Sequence, residues 1–144
     1  MSHSNPSDQE LKELLTNAST IAIVGASSNP DKPSHGIMQK LQSVGYRVIP
    51  VNPRETEVLG ERSYPSLIDV PERVDIVDVF RRAEDTPGIA DDAVTIGAKA
   101  LWLQTGIVSE DAAARAQAGG LMVVMDACIG ATHSLLRVPN KTLA

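Results

Sequence analysis

Cys128 and His133 lie five residues apart in MDACIGATHS, and a thiol beside an imidazole is a combination that could supply a nucleophile. That chemistry requires the two side chains to converge in space. A free cysteine is more often a small buried hydrophobe. The three histidines, His3, His35 and His133, are scattered, which argues against zinc. The other chemistry on offer is anion binding, from Lys32, Arg54, Arg81 and Arg82. No G-x-x-x-x-G-K-[ST] segment occurs, so P-loop nucleotide hydrolysis is excluded. The expectation is a binding site with no catalytic set and no metal.

Those residues sit at the ends of five apolar, β-rich runs: Thr20–Val24, Arg47–Val51, Asp75–Phe80, Ala100–Gln104 and Leu121–Met125. The runs are nearly continuous in hydrophobicity, the mark of strands covered on both faces. Helical patterns alternate with them. One holds Ile37, Met38, Leu41 and Val44 and ends at Gly45. A second runs from Ile89 to Ile96 and ends at Gly97. Ser109 caps a third, AAARAQA, which stops at Gly119-Gly120. Ser7 with Glu10 has the capping-box spacing for a short helix over 8–17. Strands alternating with helices imply right-handed crossovers and a parallel sheet. The fold class is α/β, a doubly wound five-stranded parallel sheet of spatial order 3-2-1-4-5 in a single domain over 8–138. Polar tails are expected at 1–7 and 139–144. Ligands then bind beyond the carboxyl ends of the strands, where the first and fourth diverge.

The turns at those ends are therefore the places to look. After Val24 comes GASSNPDKPSHG, where Gly25 permits close backbone approach and Ser27 and Ser28 offer donors. Pro33 suits the first turn of a helix, whose free amides and dipole attract anions beside Lys32. His35 reads as a binding or capping group. After Val51 comes VNPRE. A dinucleotide site wants an acidic residue at that strand end for the ribose diol, and Asn52 stands there instead, so NAD is disfavoured. Arg54 could meet an extra phosphate, as on NADP or coenzyme A, or be a solvated arginine. At the end of the third run, Phe80-Arg81-Arg82 could pair with phosphate and flank a base, or both arginines could pair with Glu84 and Asp85. At the end of the fourth run, Gln104 could hydrogen-bond an amide-rich ligand arm. Gly106 is either a ligand contact or a turn residue.

Composition narrows the partners. The 144 residues suit one core, and with aromatics at 3% that core must be built from Val, Ile, Leu and Ala. A net charge of −5 argues against nucleic acid. No apolar run approaches the roughly 20 residues of a membrane helix. The N-terminus has no signal-peptide core and one cysteine forms no internal disulfide, so a cytoplasmic protein is expected.

The segments VGASSNPDKPSHGIM, YRVIPVNP, EVLGERSYPSLIDVP, VDIVDVFRR, IGAKALWLQTGI and GLMVVMDACI together resemble the stand-alone CoA-binding proteins. These are small Rossmann-like proteins similar to the N-terminal domain of the succinyl-CoA synthetase α subunit. The resemblance spans residues 9 to 138. It implies that Gly25, Ala26, Ser27 and Ser28, with Lys32, Pro33, Ser34 and His35, take the phosphates of coenzyme A. Val51, Asn52 and Pro53 would line the nucleotide. Phe80, Arg81 and Arg82 would border adenine and pyrophosphate, and Gln104 and Gly106 the pantetheine arm. The family's last motif commonly carries an arginine before the cysteine and a glutamate before the histidine. Ala127 and Thr132 replace them here. The synthetase's second domain, with its phosphorylated histidine, has no counterpart in this sequence. A non-catalytic carrier, sensor or regulator is the leading reading, with a partner enzyme or a second copy of the chain as its partner. The alternatives are a small NADP-linked or acyl-transfer enzyme, and an interaction subunit that has lost its ligand.

Overall fold

In the computed structural model, which describes residues 3–141, the chain begins with α1 (Asp8–Asn17), β1 (Thr20–Val24), α2 (Pro33–Ser43) and β2 (Arg47–Val51). A small hairpin of β3 (Glu57–Val58) and β4 (Glu61–Arg62) and a 3-10 turn at Leu67–Asp69 lead to β5 (Ile76–Val79). A second 3-10 turn at Ala83–Asp85 runs into α3 (Thr86–Thr95). Then come β6 (Ala100–Leu103), α4 (Glu110–Ala118), β7 (Met122–Val124) and α5 (Ile129–Leu135). Five strands form one parallel sheet in the order β2-β1-β5-β6-β7.

The expected α/β fold with a five-stranded parallel sheet is thus present, while the strand order needs correcting. Numbered along the chain, the five strands lie 2-1-3-4-5 rather than 3-2-1-4-5. The reason lies in the segment between β2 and β5. Beyond β2 the sheet continues by one residue only, Tyr64, in an isolated parallel bridge to Val51. The Tyr64 amide donates to Pro50 O at 3.1 Å, and the Asn52 amide donates to Tyr64 O at 2.9 Å. Pro65 follows and has no amide hydrogen to continue such a ladder. The chain then crosses back and lays β5 beside β1. With Tyr64 counted as a rudimentary third strand, the order becomes 3-2-1-4-5-6. Either way the connections reverse direction between β1 and β5, and the crevice opens there.

Period-two alternation sorts the strand residues into two cores. Ile21, Ile23, Val48, Ile76 and Trp102 face Leu15 of α1, Met38 and Leu41 of α2, and Ile129 of α5. Ala22, Ile49, Val51, Val77, Leu101 and Val123 face the other way. There Ala90 and Ala93 of α3 and Ala112 and Ala116 of α4 supply small surfaces on which helices approach closely. Trp102 is fully buried, and its indole Nε1–H donates to Ala127 O at 2.9 Å, so its one polar atom is satisfied.

The chain ends are tied down by hydrogen bonds to backbone groups. Ser7 and Glu10 cap α1 reciprocally. Asn5, in the segment read as a tail, donates from Nδ2 to Met125 O and accepts at Oδ1 from the Met125 amide, both at 2.8 Å. The Lys141 amide donates to Val44 O at 2.8 Å. Positions 1–2 and 142–144 of the expected tails lie outside the described residues. Among the described residues no helix is long and apolar enough to cross a membrane.

Candidate functional site

The turns after β1, β2, β5 and β6 converge on a cleft of about 860 Å³, with α2 along one wall and the segment before α5 on another. Gly25 forms its floor. Its φ is +92°, and a Cβ there would stand 2.7 Å from Phe80 O and 3.1 Å from Arg81 Cδ. Only glycine suits both the dihedral and the space. The segment after Gly25 is folded on itself: Ser27 Oγ accepts from the Asn29 amide and Asn29 Oδ1 from the Asp31 amide. It delivers the chain to α2, which starts at Pro33 with Lys32 as N-cap and no side-chain cap. The first turn of α2 carries no acidic residue, so no carboxylate of that turn offsets the positive end of the helix dipole beside the cleft. Ser27, Lys32, Pro33 and Ser34 line this side.

The opposite rim is Phe80-Arg81-Arg82. The pairing considered from sequence occurs: Arg81 bonds Asp85 at 3.2 Å, and Arg82 lies 3.3 Å from Glu84 and 3.8 Å from Asp85. Arg82 is 77% exposed, so these pairs are worth little and leave the guanidinium available. Asn52 lines the cleft with its side chain already committed, Nδ2 donating to Ala26 O at 2.8 Å and Oδ1 accepting from the Arg54 amide at 2.9 Å. It stitches the loop after β2 to the loop after β1.

At the inner end Gln104 is 4% exposed and donates from Nε2 to Asp78 Oδ1 at 2.6 Å. Asp78, in the middle of β5, is fully buried, and its Oδ2 has no partner. Burial pushes its carboxyl up to about 8 against the opposing effect of the Gln104 hydrogen bond. The acid is therefore mostly uncharged at neutral pH.

Cys128 also lines the cleft, and its sulfur accepts from the Ala131 amide at 3.5 Å as the N-cap of α5. His133 is 3% exposed and stands edge-on to the Tyr46 ring, with Nε2 unpartnered. Burial, then the charges of Lys40 and Lys141, hold its imidazolium pKa below the usual value. Among the described residues no hydrogen bond joins it to Cys128.

Of the residues singled out by sequence, the cleft gathers Gly25, Ser27, Lys32, Pro33, Ser34, Asn52, Phe80, Arg81, Arg82 and Gln104. Val51 and Pro53 line a separate cavity of about 290 Å³ that shares Arg81 with the cleft. Ala26 is buried in the core beneath the loop, and His35 is half-buried on α2. The Gly106 amide donates to Asp126 Oδ1 at 2.7 Å, which ties the turns after β6 and β7 together. Ser28 is occupied: its amide donates to Glu55 Oε2 at 2.6 Å and its hydroxyl to Glu55 Oε1 at 2.9 Å. Sequence reasoning missed Gly36, Ile37, Thr105 and Ile107 as lining residues, and Glu55 as a neighbour of the loop. Ile37 reads as one more core position of its helix stripe, and Glu55 as an ordinary loop acid.

A family model described as CoA binding domain matches residues 19–134. The chain is 41% identical over 133 residues to the uncharacterized protein YneT of Bacillus subtilis (strain 168), a match covering 92% of this chain and 98% of that one. It is 29% identical over 104 residues to an ADP-forming acetate–CoA ligase of Archaeoglobus fulgidus, and that match covers 71% of this chain but only 15% of the ligase. A hypothetical protein from Pyrococcus horikoshii OT3 has the same fold with a TM-score of 0.89 at 35% identity, over 95% of this chain and 99% of that one. The dinucleotide-forming acetyl-coenzyme A synthetase 1 of Ca. Korarchaeum cryptofilum gives a TM-score of 0.70 at 32% identity, over 79% of this chain and 27% of the synthetase.

Proposed function

The chain belongs to the CoA binding domain family, and from that premise we propose that its cleft binds coenzyme A or an acyl-CoA without catalysing a reaction on it. The observation that carries this is the graded character of the cleft. Its outer rim combines Lys32, Arg81 and Arg82 with the N-terminal end of α2, which carries no side-chain cap and no acidic residue, and this suits phosphates. Its inner wall combines Ile37 and Ile107 with one buried carboxamide, Gln104, which suits an apolar arm carrying amides. Its volume lies within the range of roughly 300–1,000 Å³ typical of small-molecule sites. The smaller cavity walled by Val51, Pro53 and Ile89 adjoins it across Arg81 and would take the flat base of the nucleotide.

The ligase and synthetase relatives extend far beyond this chain, and their activities are theirs. A thiol-based acyl transfer is disfavoured because Cys128 acts as a helix cap while His133 is turned into the core against Tyr46. A carrier, sensor or regulatory role in the cytoplasm follows as the reading, with a partner enzyme or a second copy of the chain reading the bound state. Calorimetric titration with CoA, acetyl-CoA, NAD and NADP is the test. Binding of the CoA species alone is expected; binding of a nicotinamide nucleotide without CoA overturns the proposal.

A further inference from the structure

A carboxyl group in the middle of a buried parallel strand needs a reason, since every other residue of β5 is apolar. Asp78 pairs in register with Ile23 of β1 and Trp102 of β6 and is completely enclosed. Among the described residues its carboxyl has one hydrogen bond, from Gln104 Nε2 at 2.6 Å, and Oδ2 is left without any. A valine would avoid the desolvation of a carboxyl at this position, so packing of the strand alone does not call for an acid here. Gln104 follows β6 and points to the same side of the sheet, under the cleft. With Nε2 held, its carbonyl Oε1 is the remaining polar end. Among the described residues no protein donor reaches Oε1, and it is not sealed from solvent as Asp78 Oδ2 is.

We propose that Asp78 is a positioning residue that locks the Gln104 carboxamide, turning Oε1 into the cleft as the acceptor for an amide N–H of the ligand's extended arm. This rests on the coenzyme A reading and assigns the recognition of the arm, as distinct from the phosphates, to one buried pair. A carboxamide free to rotate would present donor and acceptor in turn, and the ligand would have to order it on binding. The high pKa of Asp78 fits: an uncharged partner fixes the amide without placing an ion under the ligand. An asparagine can play the same part through its own carbonyl oxygen.

The experiment compares wild type, D78N, D78V, D78A and Q104A in calorimetric titrations with CoA and with adenosine 3′,5′-bisphosphate, which lacks the arm. D78V, D78A and Q104A should weaken CoA about 10-fold while leaving the bisphosphate within 2-fold, and D78N should keep CoA affinity within 2-fold. The double variant D78V/Q104A should bind CoA no more weakly than Q104A, because the two residues act through one contact. Two alanine or valine variants are used so that one misfolded protein, detected by circular dichroism, does not decide the matter. Unchanged CoA affinity in a folded D78V or D78A overturns the proposal. So does an equal loss for both ligands, which would mark a merely structural role. If wild type itself fails to bind CoA, the functional reading falls and takes this inference with it, whereas failure in the variants alone leaves that reading standing.

Discussion

Gly25 is the residue at which backbone geometry and ligand access are the same requirement. Alanine there must adopt a left-handed conformation and crowd Phe80 O, so Gly25→Ala should lower stability by at least about 1–2 kcal/mol in urea titrations and abolish ligand binding. Glu55 acts in the opposite sense. Its carboxylate already occupies the Ser28 donors that a phosphate would seek. Glu55→Ala should tighten CoA binding about 5-fold, in line with a competing hydrogen bond of about 1 kcal/mol; weaker binding would show that Glu55 touches the ligand instead. Asp78 sets a pH dependence. Its carboxyl titrates near 8 in the folded chain and near 3.8 in the unfolded one. Between those values the folded state keeps a proton that the unfolded state has lost. Stability from this group is therefore full below the lower value, declines as pH rises, and levels off above the upper one. The difference in unfolding free energy between Asp78→Asn and wild type should grow in favour of the variant from pH 5 to pH 8 and then stop growing.

At the scale of elements, the helix starts are separable contributions. The reciprocal cap of α1 is peripheral, so Ser7→Ala should cost about 1 kcal/mol of stability by chemical denaturation and leave ligand affinity untouched. This cap was legible in the sequence, as were the bounds of α1 and α2, because Ser-x-x-Glu and Lys-Pro encode local hydrogen bonding and φ. Glycines 45, 97 and 120 marked stops for the same local reason, each taking positive φ. α5 escaped notice because IGATHSL is short and shows no clean stripe, being held by Ile129, Val138 and the Tyr46–His133 contact rather than by propensity. The strand order was not local at all. It depends on whether Tyr64 makes one bridge or a full strand, which Pro65 decides against. The site followed the same division. Residues at strand ends could be read off the runs themselves, whereas Ile37 and Ile107 look like core residues until the helix and turn carrying them are placed over the cleft.

For the molecule as a whole, charge is distributed against its own total. The net charge is −5, yet Lys32, Arg81 and Arg82 stand around one opening. An anionic ligand is repelled at long range and attracted only near the mouth, within about 10 Å at 0.1 M salt. CoA affinity should therefore fall a few-fold between 0.05 and 0.5 M NaCl, and a Lys32→Ala/Arg82→Ala double variant should show a flatter dependence in the same titrations. The same economy of placement appears at the far side of the sheet. The Asn5 carboxamide meets Met125 just past β7 with one donor and one acceptor, the two hydrogen bonds a neighbouring strand would offer at that rung. It works as a plug: an incoming chain cannot zip onto this border from the cleft end without first displacing Asn5.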